Sequence, residues 1–437
     1  MTPDVTPEPT TTAGGAAAGI RPARRGWGRV DRYLTADRLV VYPAVVVALF
    51  VVVWLLSLAV TVPLPDFLAR WTAGRLVLDG RADVLYDPGV QSGLQQALGA
   101  DTLSWFVSPP FVAVLLVPFG ALPYGLAALA WTLLSLGLLW VSVRALPDLH
   151  PAFTALRGWR ALLLAGSCQA VLELVGAGQD SAVVLAALVL GARLLASGSD
   201  LAGGMVLAVS LVKPQLAWLV PVVLLLRGRW RALSGMVAGG LVLVGASLVV
   251  LGAGPWADWV EAVTSPLYRD EVVSGQTAKT TSISGLLEHL VPGSGPVATL
   301  LWVVAFVALL VVAVRSRAAL DDVALPVLLV TAVPLTTVLL TPHAMVYDLV
   351  IVIPAVVWLL ARRPTARVRG LAAVGYVLLF LAPLLQLAAR AVPALTVLAA
   401  PWVVVVLVLL WREVMAPALV HDPPTPLGSV PPGGSHG

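Results

Sequence analysis

The chain has 437 residues, of which 59% are hydrophobic and 11% charged, with a mean hydropathy of +0.94; a soluble domain is roughly half apolar and about a quarter charged, so a water-soluble fold is excluded. The formal charge of +4 comes from arginines set in short clusters between apolar runs, which suits the orientation of a membrane protein and not a nucleic-acid partner. The single cysteine, Cys168, excludes a disulfide framework and a cysteine metal site.

Taken in order, residues 1–19 are rich in Thr, Pro, Ala and Gly, and residues 423–437 have the same character. Neither buries enough apolar surface to offset its chain entropy. The expected organisation is a disordered basic cytoplasmic tail at 1–38, a membrane domain at 39–412 and a second disordered tail at 413–437. The first apolar run, 40–62, is long enough to span and starts too late for a cleavable signal peptide, so it reads as a signal anchor. Further spans are expected at 124–143, 161–175, 182–195, 233–251, 299–314, 323–340, 345–360, 371–387 and 392–411.

Two regions need charge to decide them. "FVSPPFVAVLLVPFGAL" at 106–122 is apolar but bracketed by prolines, and 201–226 is interrupted by Lys213 and Pro214. If 111–119 only dips into the interface and the break at Lys213 separates two short crossings, five basic groups share the cytoplasmic side. These are the N-terminal arginines, Arg144 with Arg157 and Arg160, Arg227 to Arg231, Arg315 with Arg317, and Arg362 to Arg369. The expected fold is therefore an all-α polytopic protein with about twelve transmembrane helices and both termini cytoplasmic. Segments 63–123 and 252–297, and short turns at 176–180, around 213 and at 341–343, then face outside.

Polar residues gather on that expected outer face. In "VPLPDFLARW" at 62–71, Asp66 precedes a helix over 67–78 with Phe67, Leu68, Trp71 and Leu78 on its apolar side. Arg70, Arg75 and Asp79 occupy the wet side, so the helix is expected to lie in the interface. Asp66 equally suits a helix cap; Gly80 ends the helix and "LYDP" at 85–88 turns the chain. In "GAGQDSAVV", Gln179 and Asp180 precede a helix starting at Ser181, and capping is the expected role of Asp180. Glu173 lies inside a span on one face with Gln169, and ionisable groups at that depth face a wet or protein-lined cavity. Lys213 sits in "AVSLVKPQLAWLVP", where Pro214 breaks the helix. A point charge there suits an anionic ligand; an ion pair with Glu173 or another acid is the alternative. In "LLTPHAMVYDLVIV", His343 and Tyr347 share a helical face and Asp348 enters the membrane beside them, with capping by Thr341 and an internally satisfied Asp348 as the structural alternatives.

Asp66 after the first span, "LYDP", the "PP" before an amphipathic segment, "GQD", "KP" and "TPHAMVYD" follow one another in an order that resembles glycosyltransferase family 87 over about 40–412. The resemblance implies a GT-C architecture with interfacial helices in the first outer loop and an active site on the outside of the cell inner (plasma) membrane. It implies a hexosyltransferase that moves a sugar, mannose first and arabinofuranose as the alternative, from a polyprenyl-phosphate donor to a glycolipid or glycan acceptor. Asp66 matches the acid that the family uses as general base. Asp180 departs from the Asn many members carry after "GQ", and Thr281 to Ser284 only loosely resembles a polar family motif.

Such a donor brings its own leaving group, so no cofactor, nucleotide or phosphate-cradling glycine loop is expected, and no ligand-spaced cluster suggests a metal. The base must stay ionised in a polar pocket, and cationic or hydrogen-bonding groups must steady the departing phosphate. The expected catalytic residues are Asp66 and His343. Lys213, Gln179, Asp180, Tyr347, Asp348, Glu173, Arg70 and Arg75 are the expected substrate-binding residues. Displacement assisted by one base would invert the anomeric centre. A lipid-linked sugar transporter or flippase is the rival from another class, although no repeated pair of broken helices supports it.

Overall fold

The computed structural model describes residues 37–57, 62–268, 279–290, 295–315, 324–341, 343–389 and 401–416. The described residues form helices joined by turns and loops, with no strand among them beyond one isolated antiparallel bridge between Thr280 and Met345. Both expected tails lie almost wholly outside the described residues, as do 390–400 at the start of the last expected span. Helix α1 (Arg38–Ser57) is followed by α2 (Pro65–Leu78), α3 (Pro88–Gln96), α4 (Pro110–Leu115), α5 (Val117–Gly120) and α6 (Tyr124–Ala145). The chain continues through α7 (Trp159–Gly166), α8 (Gln169–Ala177), α9 (Ser181–Ala196), α10 (Asp200–Ala208), α11 (Pro214–Ala217), α12 (Leu219–Leu226) and α13 (Trp230–Leu251). After α14 (Gly254–Thr264) and α15 (Pro266–Tyr268) come α16 (Ile283–Leu290), α17 (Gly295–Arg315), α18 (Leu325–Val330) and α19 (Ala332–Leu340). A 3-10 helix (Val346–Val352) then leads into α20 (Ile353–Arg362), α21 (Ala366–Ala389) and α22 (Pro401–Val414).

Among the described residues, two helices are long and apolar enough to cross a membrane by themselves, Tyr124–Asp148 and Trp230–Leu251. The pair α7 and α8, bent by 63°, makes a third if it is one span. Among the described residues two to three of the expected spans are thus shown by length and composition, and several other apolar runs are divided into shorter helices at prolines and glycines. The break expected at Lys213 is present: α10 gives way to a 3-10 turn (Val209–Val212), Lys213 leaves helical geometry at φ −127° and ψ 82°, and Pro214 opens α11. Segment 106–122 contains only the short helices α4 and α5, too short to span.

Helix α2 departs from the expected amphipathic layout. It does not lie with one face open, since Phe67 through Gly74 and Leu76 are all buried, Arg70 among them, whereas Leu78 is exposed. Its apolar side packs as an aromatic cluster in which the Phe67 ring stacks on Trp131 and Tyr124 and meets the edge of Phe119. Gly74 and Gly120 let the α2 and α5 backbones touch: a Cβ on Gly74 would stand 2.3 Å from the Leu116 carbonyl oxygen, and one on Gly120 would stand 2.3 Å from the Gly74 carbonyl carbon. Towards the start of the expected second tail, α22 runs to Val414. Glu413 holds that last turn through Arg363 at 3.1 Å and Arg367 at 3.4 Å.

Candidate active site

The N-terminus of α2 is built around an unusual residue. Leu64 occupies the helix-cap position with a left-handed backbone, φ 52°, and offers no side-chain cap. That conformation costs a branched residue of the order of 1–3 kcal/mol. Surrounding contacts impose it: Leu64 is buried, and the Tyr124 hydroxyl is within hydrogen-bonding distance of the carbonyls of both Pro63 and Leu64. Pro65 fills the first helical position, where its missing N–H is no loss. Asp66 therefore does not cap the helix, and its carboxylate is released toward Gln179, whose Nε2 donates to Oδ2 at 2.7 Å.

Gln179 is positioned by Gly178. That glycine is left-handed at φ 77°, and a Cβ on it would stand 2.6 Å from the Phe67 Cβ and 2.9 Å from the Leu64 Cβ. Its carbonyl accepts the Trp131 indole N–H at 2.9 Å. The Gln179 amide is oriented by cations: Oε1 accepts from Arg70 at 2.9 Å and from Lys213 at 3.3 Å, which leaves Nε2 to face Asp66.

A chain of charges extends from there. Arg70 donates through Nε to Asp180 Oδ2 at 3.1 Å, and its Nη2 approaches the same oxygen at 2.9 Å. Lys213 Nζ meets Asp180 Oδ1 at 3.0 Å and Asp348 Oδ1 at 2.8 Å, donates to Ser181 Oγ at 2.9 Å, and stands 4.6 Å from the centre of the Tyr347 ring. Ser181 Oγ donates to Asp348 Oδ1 at 2.5 Å, and the Met345 backbone N–H donates to Asp348 Oδ2 at 3.0 Å. The last contact fixes the start of the 3-10 helix, itself seven residues long where such runs seldom exceed three or four. Thr281 secures the preceding residues by donating its backbone N–H to the Ala344 carbonyl at 2.7 Å.

The expected capping role of Asp180 is overturned by these contacts, since its side chain makes no cap bond and pairs with two cations. Burial alone would raise its pKa, but the charges of Arg70 and Lys213 outweigh burial and bring it down to about 2. For His343, burial lowers the pKa below its ordinary 6.5; Asp348 opposes that effect and Lys213 adds to it. The imidazole is consequently neutral at neutral pH.

A cavity of about 1190 Å³ lies beside this network, with Asp180 and Ser181 behind its wall. Asp66, Arg70, Gln179, Lys213, Gln215, His343, Tyr347 and Asp348 form its polar wall, and Trp105, Trp259, Leu267 and Tyr268 contribute an aromatic and apolar one. Two expected site residues stand elsewhere. Arg75 pairs with Asp79 at 2.9 Å one turn along α2, on an exposed face, and Glu173 accepts from Gln169 at 3.1 Å within α8 and does not line the cavity. Among the described residues no three His, Cys, Asp or Glu side chains assemble as a metal-binding group. Ser181, Gln215 and Tyr124 escaped the sequence reading. Ser181 and Gln215 directly adjoin "GQD" and "KP", a proximity that could have flagged them; Tyr124 acts across 60 residues and left no local signal.

An apolar helical fold around a cavity with one polar and one aromatic wall, backed by a buried charge network, suits a membrane-embedded protein with a ligand site. Its class follows from the sequence match: the family model of glycosyltransferase family 87 covers residues 106–342, more than half of the chain, and the chain belongs to that family. The protein is a membrane glycosyltransferase. Gln179, Asp180 and Lys213 lie within the matched segment, Asp66 and Arg70 precede it, and His343, Tyr347 and Asp348 follow it directly. No curated protein and no solved structure matches the chain.

Proposed function

We propose that the enzyme moves a hexose, mannose, from a polyprenyl-phosphate donor to a hydroxyl of a lipid-linked or glycan acceptor, with inversion, at the outer face of the plasma membrane. The observation that carries this reading is the setting of Asp66. One carboxylate oxygen is held by Gln179, the other accepts no hydrogen bond among the described residues, and the side chain borders the cavity. A carboxylate oriented through one oxygen and open at the other is placed to take the proton of an acceptor hydroxyl.

In the proposed step the acceptor oxygen bonds to the anomeric carbon as its proton passes to Asp66. The bond from that carbon to the phosphate oxygen breaks, and its electron pair leaves with the lipid phosphate. Asp66, Asp101, Asp180 and Asp348 against Arg70 and Lys213, with His343 neutral, leave the cavity and the network behind it with two net negative charges. Such a field disfavours a highly charged diphosphate donor and tolerates a phosphodiester with a single charge. His343 borders the same cavity and would hydrogen-bond the phosphate as negative charge develops on it. The membrane domain at 39–412 carries the reaction, with a GT-C arrangement and both termini cytoplasmic, and the step calls on no cofactor.

The test is sugar transfer by the purified full chain in nanodiscs from radiolabelled polyprenyl-phosphate mannose, with polyprenyl-phosphate arabinofuranose in a parallel arm and a membrane glycolipid extract as acceptor. Asp66→Asn is expected to slow transfer by about 100- to 10,000-fold. A well-folded variant that transfers at the wild-type rate removes Asp66 as the base, and transfer from the arabinofuranose arm alone replaces the sugar.

A further inference from the structure

The polar wall of the cavity divides into groups already occupied by the protein and groups left open. Lys213 is occupied: an ammonium has three protons, and Asp180, Asp348, Ser181 and Gln179 all lie within 3.3 Å of its Nζ. The Gln179 amide is engaged at both ends, and Asp348 is engaged at both oxygens. Detaching any of these to meet a ligand would strand a buried charge, which is strongly destabilising. The residues that look most suited to an anion are therefore the ones least able to touch it.

Three cavity-lining side chains are in the opposite condition. The Gln215 amide, the His343 imidazole and the Tyr347 hydroxyl make no hydrogen bond to any described residue, and all three are half-buried. Gln215 owes its position to the break at Lys213. Pro214 restarts the helix there, so that residues 212–215 all border the cavity instead of spiralling away from it.

We infer that Gln215 is a substrate-contacting residue whose amide N–H groups bind a phosphate oxygen of the donor, together with His343 and the Tyr347 hydroxyl, while Lys213 acts behind them as a fixed charge. This inference rests on the donor class proposed above. An amide suits the task because it adds donors without adding charge, and the ligand's oxygens replace the water that otherwise satisfies it. Gln215 meets the same phosphate before and during reaction, so its loss should weaken donor binding more than turnover.

Two measurements test it. In the nanodisc assay, Gln215→Ala is expected to raise the donor KM about 10- to 100-fold, the loss typical of a hydrogen bond to a charged group, with kcat changed less than about threefold. Separately, Gln215→Cys is placed in a Cys168→Ser background, which removes the native thiol, and labelled with a maleimide in the full-length protein. Farnesyl phosphate should protect the thiol at position 215, and farnesol should not. An unchanged donor KM in a folded Gln215→Ala variant overturns the inference, as does equal protection by both probes or by neither. If the wild type transfers nothing from the polyprenyl-phosphate donor yet farnesyl phosphate alone protects the thiol, the donor reading fails and the phosphate contact stands. If transfer proceeds and the thiol is never protected, the contact fails and the donor reading stands.

Discussion

Helix α2 carries two arginine–aspartate pairs with the same 2.9 Å separation, and they differ in nearly everything else. Arg75 meets Asp79 on its own helix with side chains 42% and 38% exposed, while Arg70 reaches Asp180, 110 residues away, with side chains 10% and 4% exposed. An exposed pair gains little because water screens it and two side chains lose freedom. A buried pair brings a large desolvation penalty and is retained where its charges serve an arrangement. Here the arrangement is the link from Arg70 through Gln179 to Asp66 and from Asp180 to Lys213. Distance alone says nothing of importance; burial and connectivity do.

The comparison is broken most forcefully at Lys213. Lys213→Ala leaves Asp180 and Asp348 buried without their shared cation and should cost about 3–5 kcal/mol. Denaturant or thermal unfolding of the full chain in detergent measures it, and a loss below about 1 kcal/mol would make the network no stronger than a surface pair.

Gly178→Ala tests whether geometry or charge holds the site, because it keeps every charged group while forcing a Cβ into Phe67 at a left-handed backbone. A cost of about 1–3 kcal/mol is expected, with a fall in kcat as Gln179 is displaced. Unchanged kcat in a folded variant would show that Asp66 does not depend on that loop.

A smaller effect separates the two kinds of site by pH. The folded-state pKa of His343 is lowered below 6.5, so its contribution to stability is complete above 6.5 and is lost as pH falls through the window beneath it. Wild type should lose stability relative to His343→Gln as pH drops below 6.5, and parallel pH–stability curves would refute the burial of a neutral imidazole. Asp180 acts lower still: its pKa falls from 3.8 to about 2, so its contribution is present above 3.8 and disappears as pH falls toward 2. Finally, Arg75→Ala should change stability by about 0–1 kcal/mol and leave transfer unaltered. A tenfold loss of transfer would return Arg75 to the site.

Much of this was legible in the sequence, for reasons tied to local chemistry. A lysine before a proline inside an apolar run announces a broken helix, and a cluster such as "TPHAMVYD" is too polar for a plain membrane entry, so Lys213, His343, Tyr347 and Asp348 stand out in the sequence, and all four border the cavity. What the sequence hid depends on partners distant along the chain. A helical face with Arg70 and Arg75 reads as one wet side, but only the approach of Gly178 and Asp180 decides which arginine is buried. Asp180 looked like a cap for the same reason: its two cations lie 110 and 33 residues away. The span count is the converse case. Apolar composition shows which segments prefer lipid, yet Gly, Pro and buried polar groups determine how long each straight helix remains.

Gly74 and Gly120 place backbone against backbone at the middle of α2, while Tyr124 and the left-handed Leu64 fasten its start. A helix pinned at two points along its axis can neither slide nor roll without both seams opening. Under the proposed step the carboxylate at its head is a fixed point, and catalysis becomes a problem of delivery: the incoming hydroxyl has to travel to Asp66. The pace of the enzyme would then be governed by how substrates enter and settle, and a slow step would be sought in the loops and lipid around the cavity before the helix that carries the acid.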